Sequence, residues 1–66
     1  MRIKLNGEPY DLAEPLTIDA LLARLEIDPR RVAVERNFDV VKRDAFVSTS
    51  VRDGDEIEVV NFVGGG

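Results

Sequence analysis

The sequence has 66 residues, of which 44% are hydrophobic and 33% are charged, and its 13 acidic and 9 basic side chains give a net charge of −4. This length allows one domain, and the acidic balance opposes binding to the phosphates of nucleic acid. Cysteine and histidine are both absent, which excludes disulfides, thiolate metal sites and the commonest nucleophile and general base of enzymes.

The chain opens with the pattern of a β-hairpin. Residues 2–6 alternate polar and apolar side chains, which is the period of a half-buried strand. Asn6 and Gly7 follow, and both residue types tolerate the positive φ angles of a tight hairpin turn. A returning strand is predicted over about residues 8–12, at an edge of the sheet because Pro9 has no N–H to donate.

One amphipathic helix is predicted after Thr17, which we expect to cap it. Four apolar residues recur at the spacing i, i+3, i+4 and i+7 and form one stripe: Ile18, Leu21, Leu22 and Leu25. We expect Asp28-Pro29 to end this helix, since the residue before a proline is pushed out of the α region.

Three further strands and a crossover are predicted in the second half. Residues 32–36 alternate as a strand, residues 36–38 turn the chain, and a short strand returns at residues 40–41. Residues 42–49 are predicted to be an irregular crossover with at most one helical turn. After a turn at residues 53–55, a final strand is predicted to run into Phe62.

The order hairpin, helix and further strands predicts an α+β fold of the β-grasp, or ubiquitin-like, type, with a mixed sheet of four to five strands and one main helix across one face. We expect a single β-grasp domain over residues 1–63 and a flexible glycine tail over residues 64–66. The predicted core consists of Ile3, Leu5, Leu12, Ile18, Leu21, Leu22, Leu25, Val32, Val34, Val40, Ile57 and Val59.

The charged residues show no pattern of a catalytic or metal site. Four carboxylates lie close in sequence but lack the spacing of a calcium loop, and we interpret them as a solvated turn and strand face: Asp53, Asp55, Glu56 and Glu58. The local basic concentration is also interpreted as solvated surface: Arg30, Arg31, Arg36, Lys42 and Arg43. Neither catalytic nor metal-ligating residues are therefore predicted.

The C-terminal stretch carries the strongest functional signal. The last strand is apolar on both faces near its end, at Val60, Phe62 and Val63, and strand alternation cannot bury all of these side chains. Such a stretch suits either a docking site or further core packing. Gly64 and Gly65 precede Gly66, and a chain without side chains is slim enough to thread a narrow channel in a partner. A frayed end or a cloning linker remains the alternative for these glycines.

The reactive group that such a tail would present is the α-carboxylate of Gly66. It is ionised at neutral pH and is a poor electrophile, so it needs activation, most simply as an acyl-adenylate made by a partner that uses ATP. An activated carboxyl can then accept sulfur or an amine. The chain is accordingly expected to be a carrier or modifier that serves as a substrate, not an enzyme.

These features resemble the ThiS family, the small sulfur carriers of thiamin biosynthesis, along essentially the whole chain. The ending from Glu58 to Gly66 is the specific part of the resemblance. Segments general to β-grasp carriers accompany it: Leu5-Asn6-Gly7, Thr17 with Leu21-Leu22, Val32-Ala33-Val34-Glu35 and Asp53-Gly54-Asp55. The sequence departs from many members at Asn37-Phe38, where a small turn such as Asn-Gly is usual.

The resemblance implies that Gly66 is adenylated by a ThiF-type enzyme with ATP and Mg²⁺, and is then converted to a thiocarboxylate. The sulfur would come from a persulfide donor such as a cysteine desulfurase and would pass to a ThiG-type thiazole synthase. Gly64 and Gly65 would thread the partners' active sites, while Val60, Phe62 and Val63 would dock nearby. No cofactor is expected on the chain itself.

Three alternatives remain open at this point. The small subunit of molybdopterin synthase is similar in fold and ending, although it is usually longer, and other sulfur carriers or protein modifiers share the same chemistry. A hypothesis from a different functional class is that the chain is a β-grasp interaction module with an incidental tail. For location we expect the cytoplasm, because no export leader or membrane span is visible, and we expect neither nucleic acid nor a membrane as a partner.

Overall fold

A mixed sheet of five strands forms the centre of the computed structural model, which describes residues 1–62. The strands are β1 (Arg2–Leu5), β2 (Glu8–Asp11), β3 (Leu16–Thr17), β4 (Val32–Arg36), β5 (Asp39–Val41), β6 (Ser50–Val51) and β7 (Glu56–Asn61). Their order across the main sheet is β2-β1-β7-β4-β5, while β3 and β6 pair separately. β7 is the central strand, parallel to β1 and antiparallel to β4. The described chain therefore ends beside the middle of the sheet.

Both hairpins of the main sheet turn through two consecutive residues with positive φ. In the first hairpin these are Asn6 at 51° and Gly7 at 83°, as the sequence predicts. In the second they are Asn37 at 51° and Phe38 at 71°. An aromatic residue thus occupies the position of the second turn that glycine fills in the first.

The helix α1 spans Ile18–Arg24 and begins where the sequence predicts. The side-chain oxygen of Thr17 accepts a hydrogen bond from the backbone N–H of Ala20 at 3.1 Å, which satisfies one of the N–H groups left free at a helix start. Within residues 1–62 no helix has the length and apolar character needed to span a membrane.

The helix ends earlier than expected, and the prediction that Asp28-Pro29 ends it is wrong. Glu26 has φ of 59°, the N–H of Glu26 donates to the carbonyl of Ala23, and the N–H of Ile27 donates to the carbonyl of Leu22. This pattern is a Schellman motif, which closes a helix through a left-handed residue. Asp28-Pro29 instead opens the one-turn 3-10 helix Pro29–Arg31.

The core lies between α1 and one face of the main sheet. Its buried residues are Ile3, Leu12, Ile18, Leu21, Leu22, Val32, Val34, Phe46, Val51 and Ile57. Leu5, Leu25 and Val59 are partly buried against this cluster, in keeping with the prediction. Val40 was predicted to be core but is 72% exposed, because the register pairs its neighbour Val41 with the buried Val34 and so turns Val40 to the other face.

Two core residues in the second half, Phe46 and Val51, are absent from the predicted list. The carbonyl of Phe46 accepts a hydrogen bond from the N–H of Asp19 at the start of α1, and Val51 pairs with Leu16 in the small sheet. The crossover is therefore folded back beneath the helix. It contains the single 3-10 turn Arg43–Ala45, as predicted for this segment.

Asp55 contradicts the interpretation of the acidic residues as a solvated face, since it is only 7% exposed. Its carboxylate accepts hydrogen bonds from the backbone N–H of Arg52 at 2.9 Å, Nδ2 of Asn37 at 3.0 Å and Nε of Arg36 at 2.9 Å. Burial raises the pKa of Asp55, but these hydrogen bonds together outweigh it and hold the pKa below its usual range. Arg36 is likewise an ion-pair partner, not solvated surface as predicted.

Candidate functional site

The sheet has a second face, opposite the core, which we call the open face. Strand alternation and register place on it the side chains of Lys4, Ala33, Glu35, Val40, Glu56, Glu58 and Val60, among others. Val60 is 55% exposed and lies opposite Ala33 of the neighbouring strand. An apolar side chain that is more than half exposed is thus held on the central strand.

Phe62 extends this exposed surface by one step beyond β7. Its backbone N–H donates to the carbonyl of Arg31 at 2.9 Å, so the pairing with the neighbouring strand continues, and alternation turns its ring to the same face as Val60. The ring is 65% exposed. Neither residue belongs to the core, and their use in docking stays a prediction.

The remaining predicted site residues lie outside the described residues. These are Val63, predicted to dock, Gly64 and Gly65, predicted to thread a partner, and Gly66, predicted to be modified. The structure does describe the strand that leads to them. β7 is paired along β4 through five residues and with β1 on its other side, so the base of the C-terminal segment is fixed in the sheet.

The charges on the open face are arranged unevenly. Lys4 Nζ lies 3.8 Å from Oε1 of Glu56, and both side chains are substantially solvated, so this pair contributes little. Glu35 lies directly opposite Glu58 in the register of β4 and β7. Two like charges in this position repel each other and destabilise the sheet.

Sequence reasoning missed two further exposed apolar residues near this face, Phe38 and Val40, at 73% and 72% exposure. The sequence pattern predicts Phe38 only as a turn residue and Val40 as a core residue. The combination of an aromatic residue with a turn that requires positive φ is the signal that could have identified Phe38. No group of three or more His, Cys, Asp or Glu residues that could hold a metal ion occurs in residues 1–62.

The arrangement is that of a β-grasp domain whose central strand leads to a glycine-rich ending. The model of the ThiS family matches residues 3–66, which is nearly the whole chain and includes that ending. The chain belongs to the ThiS family.

Solved and curated relatives agree with this membership. A crystal structure of the thiamine biosynthesis protein ThiS from Geobacter metallireducens is 40% identical and superposes with a TM-score of 0.88, with all of both chains covered. The sulfur carrier protein ThiS of Bacillus subtilis is 35% identical over 65 residues, which cover 97% of this chain and 98% of that one. The β-grasp fold predicted from the sequence is confirmed by the structural neighbour.

A second kind of relative is much longer. The thiazole synthase of Paramagnetospirillum magneticum is 42% identical over 66 residues, which are all of this chain but only 20% of that protein. The chain therefore spans about a fifth of the length of this relative. A stretch similar to this chain is carried there within the polypeptide that is named as the synthase.

Proposed function

We propose that this chain is a sulfur carrier of thiamine biosynthesis and that the α-carboxylate of Gly66 carries the sulfur. The observation that supports this most directly is the family match, which continues through residue 66. The proposal requires a free carboxylate on Gly66 in the mature protein, and intact mass measurement checks this requirement directly.

The chemistry runs in three balanced steps. A carboxylate oxygen of Gly66 attacks the α-phosphorus of ATP and displaces pyrophosphate, which gives the acyl-adenylate. A persulfide sulfur then attacks the acyl carbon and AMP leaves with the bonding electron pair. A thiol reduces the S–S bond of the resulting acyl disulfide, which releases the Gly66 thiocarboxylate and a new disulfide. The chain is the substrate in each step and supplies no catalytic group.

Three partners follow from these steps: a ThiF-type adenylating enzyme that uses ATP and Mg²⁺, a persulfide donor such as a cysteine desulfurase, and a ThiG-type thiazole synthase that accepts the sulfur. The chain itself binds no cofactor in this proposal. The absence of cysteine and histidine fits a substrate, because neither side chain competes with the thiocarboxylate for an electrophile. The steps take place in the cytoplasm, where ATP and reducing thiols are available.

The C-terminal residues divide into two roles. Gly64 and Gly65 enter the active-site channel of each partner, since only a backbone without Cβ atoms is slim enough to pass. Val60, Phe62 and Val63 contact the partner's surface at the mouth of that channel. The exposure of Val60 and Phe62 supports this, because burying apolar surface against a partner contributes about 25 cal/mol per Å² before the costs of association.

Intact mass spectrometry tests the proposal. The protein is incubated with ATP, Mg²⁺, a ThiF-type enzyme, a cysteine desulfurase with cysteine, and dithiothreitol. We expect the mass gain that corresponds to one oxygen replaced by one sulfur, located on Gly66 by fragmentation. A variant without Gly65 and Gly66 should stay folded and unmodified, and Gly66→Ala should be strongly impaired because its methyl group must enter the channel.

A carrier of known competence run with the same enzymes is the control. If that carrier gains sulfur and this chain does not, the carrier proposal is wrong. If Gly66→Ala is modified as fast as the wild type, the threading of a narrow channel is wrong.

A further inference from the structure

Phe38 is an exposed aromatic residue that the backbone holds in an unfavourable conformation. Its φ of 71° lies in the left-handed region, which costs a residue with a Cβ about 1–2 kcal/mol, and its ring is 73% exposed. The fold gains little from such a residue, because the exposed ring buries little surface. Strain combined with exposure indicates that the ring serves contacts outside the chain.

The turn that presents Phe38 is tightly fixed. The backbone N–H of Asn37 donates to the carbonyl of Glu56 at 2.8 Å, and Oδ1 of Asn37 accepts from the N–H of Glu56 at 2.9 Å. Nδ2 of Asn37 donates to the buried carboxylate of Asp55 at 3.0 Å. The ring is thus carried on a preorganised turn, which reduces the entropy lost when a partner binds it.

Phe38 forms one wall of a groove of about 240 Å³ on the open face. The groove runs to the turn of the first hairpin, and its other lining residues include Lys4, Asn6, Gly7, Glu56 and Glu58. Glu58 faces Glu35 across the strands, and neither carboxylate has an ion-pair partner within residues 1–62. Lys4 lines the same groove and lies 3.8 Å from Glu56, so the nearby cation is paired with a different carboxylate.

An aromatic wall and the unpaired carboxylate of Glu58 in one groove fit an arginine side chain. A guanidinium stacks on an aromatic face and can pair with a carboxylate at the same time, whereas an ammonium is more strongly hydrated and pairs as a point charge. A cation placed here would also relieve the repulsion between Glu35 and Glu58. A second copy of this chain does not fit, because two-fold pairing of the open faces would bring four carboxylates together.

We propose that the groove between Phe38 and Glu58 is a docking site for an arginine side chain of thiazole synthase. The identity of this partner rests on the proposed function. It is supported by the Paramagnetospirillum magneticum relative, in which a stretch like this chain shares one polypeptide with the synthase, so that their surfaces meet at high effective concentration. Glu58 lies about 13 Å of strand away from Phe62, and Phe38 lies in the turn near the start of β7, so the site extends the contact surface beyond the C-terminal docking residues.

The test measures binding of the full chain to purified thiazole synthase from the same organism by isothermal titration calorimetry. Phe38→Gly and Glu58→Gln are each expected to weaken binding about tenfold, in the range of a desolvated cation–π contact and of an interfacial charge pair. Since both side chains hold the same guanidinium, the double variant should lose clearly less than the hundredfold product. Phe38→Tyr keeps the aromatic face and should bind as the wild type does.

Matched controls separate this site from general surface effects. Val47 is an equally exposed apolar residue at 68% exposure, and Val47→Ser should leave the affinity unchanged, as should Glu14→Gln at an exposed carboxylate outside the sheet. Glu58→Gln should also reduce the dependence of the association rate on salt, whereas Phe38→Gly should not. Circular dichroism of each variant checks that the fold is retained.

Three outcomes would overturn the inference: wild-type affinity in both single variants, fully multiplicative losses in the double variant, or losses confined to the adenylating enzyme. Sulfur loading of Gly66 is measured by mass spectrometry on the same variants. If the variants are loaded normally and bind the synthase with wild-type affinity, only the docking site is refuted. Failure of loading in the wild type refutes the carrier proposal, while the calorimetry still decides the docking site.

Discussion

Asn37 and Glu56 form two reciprocal hydrogen bonds, which we call the clamp, between the second hairpin turn and the central strand. The N–H of Asn37 donates to the carbonyl of Glu56, and the N–H of Glu56 donates to the side-chain oxygen of Asn37, at 2.8 and 2.9 Å. The side-chain amide replaces a strand partner at the point where β4 has already turned away. The two residues of this turn, Asn37 and Phe38, should therefore respond in opposite ways to the same substitution.

Substitution of each of these two residues by glycine tests whether their responses are opposite. Phe38→Gly should raise the free energy of unfolding by about 1 kcal/mol, because glycine adopts the left-handed conformation without a Cβ clash. Asn37→Gly relieves the same kind of backbone strain but removes two side-chain hydrogen bonds, one of them to a buried carboxylate, so it should lower stability by about 2 kcal/mol. Urea unfolding of both variants measures the difference, and equal effects would contradict the clamp.

Asp55→Asn should be among the more destabilising single changes at a polar residue. The amide can accept at one oxygen only, and its NH₂ group would face the donors of Asn37 or Arg52, while Arg36 loses its charged partner. We expect a loss of about 2–3 kcal/mol in urea unfolding. Glu14→Gln, which changes an exposed carboxylate in the same chemical way, should stay within about 0.5 kcal/mol of the wild type.

The same carboxylate gives the stability a defined pH dependence. Because the pKa of Asp55 is lower in the folded protein than in the unfolded chain, its ionised form stabilises the fold fully above the ordinary pKa of about 3.9 and this contribution is lost as the pH falls through the folded-state value. The stability difference between wild type and Asp55→Asn should therefore be constant near neutral pH and shrink below about pH 4. A difference that stays constant down to pH 2 would contradict a lowered pKa.

The first half of the fold was predictable because its signals are local. Asn6-Gly7 specifies a two-residue turn with positive φ wherever it joins two alternating strands. Thr17 before the stripe of Ile18, Leu21 and Leu22 specifies both the start of the helix and its buried face. Each of these features depends on residues that lie only a few positions apart in the sequence.

The features that sequence reasoning missed depend on long-range pairing. In the pair Val40-Val41 alternation cannot decide which residue faces inward, and the register with β4 decides it. Phe46 is buried only because the crossover returns to α1. Asp55 looks like one more surface carboxylate until Arg36 and Asn37 are brought to it from 19 and 18 residues away, respectively.

Glu26 ends the helix in a position that favours glycine. It is the left-handed residue of the Schellman motif, with φ of 59°, and its side chain is exposed. Glu26→Gly should therefore stabilise the protein by about 1 kcal/mol, measured by the midpoint of urea unfolding at constant m-value. Glu14→Gly, at an exposed position without positive φ, should be neutral or slightly destabilising, and an equal gain there would remove the conformational explanation.

Phe62→Ser separates docking from folding at the end of the described chain. The ring is exposed, so the free energy of unfolding should change by less than about 0.5 kcal/mol. If the ring contacts the adenylating enzyme equally in the ground and transition states, its loss should raise KM for this chain about tenfold and leave kcat unchanged. Val47→Ser is the matched control and should leave both constants at wild-type values. A wild-type KM for Phe62→Ser would remove Phe62 from the docking residues, whereas a fall in kcat would mean that the ring positions the carboxylate for reaction.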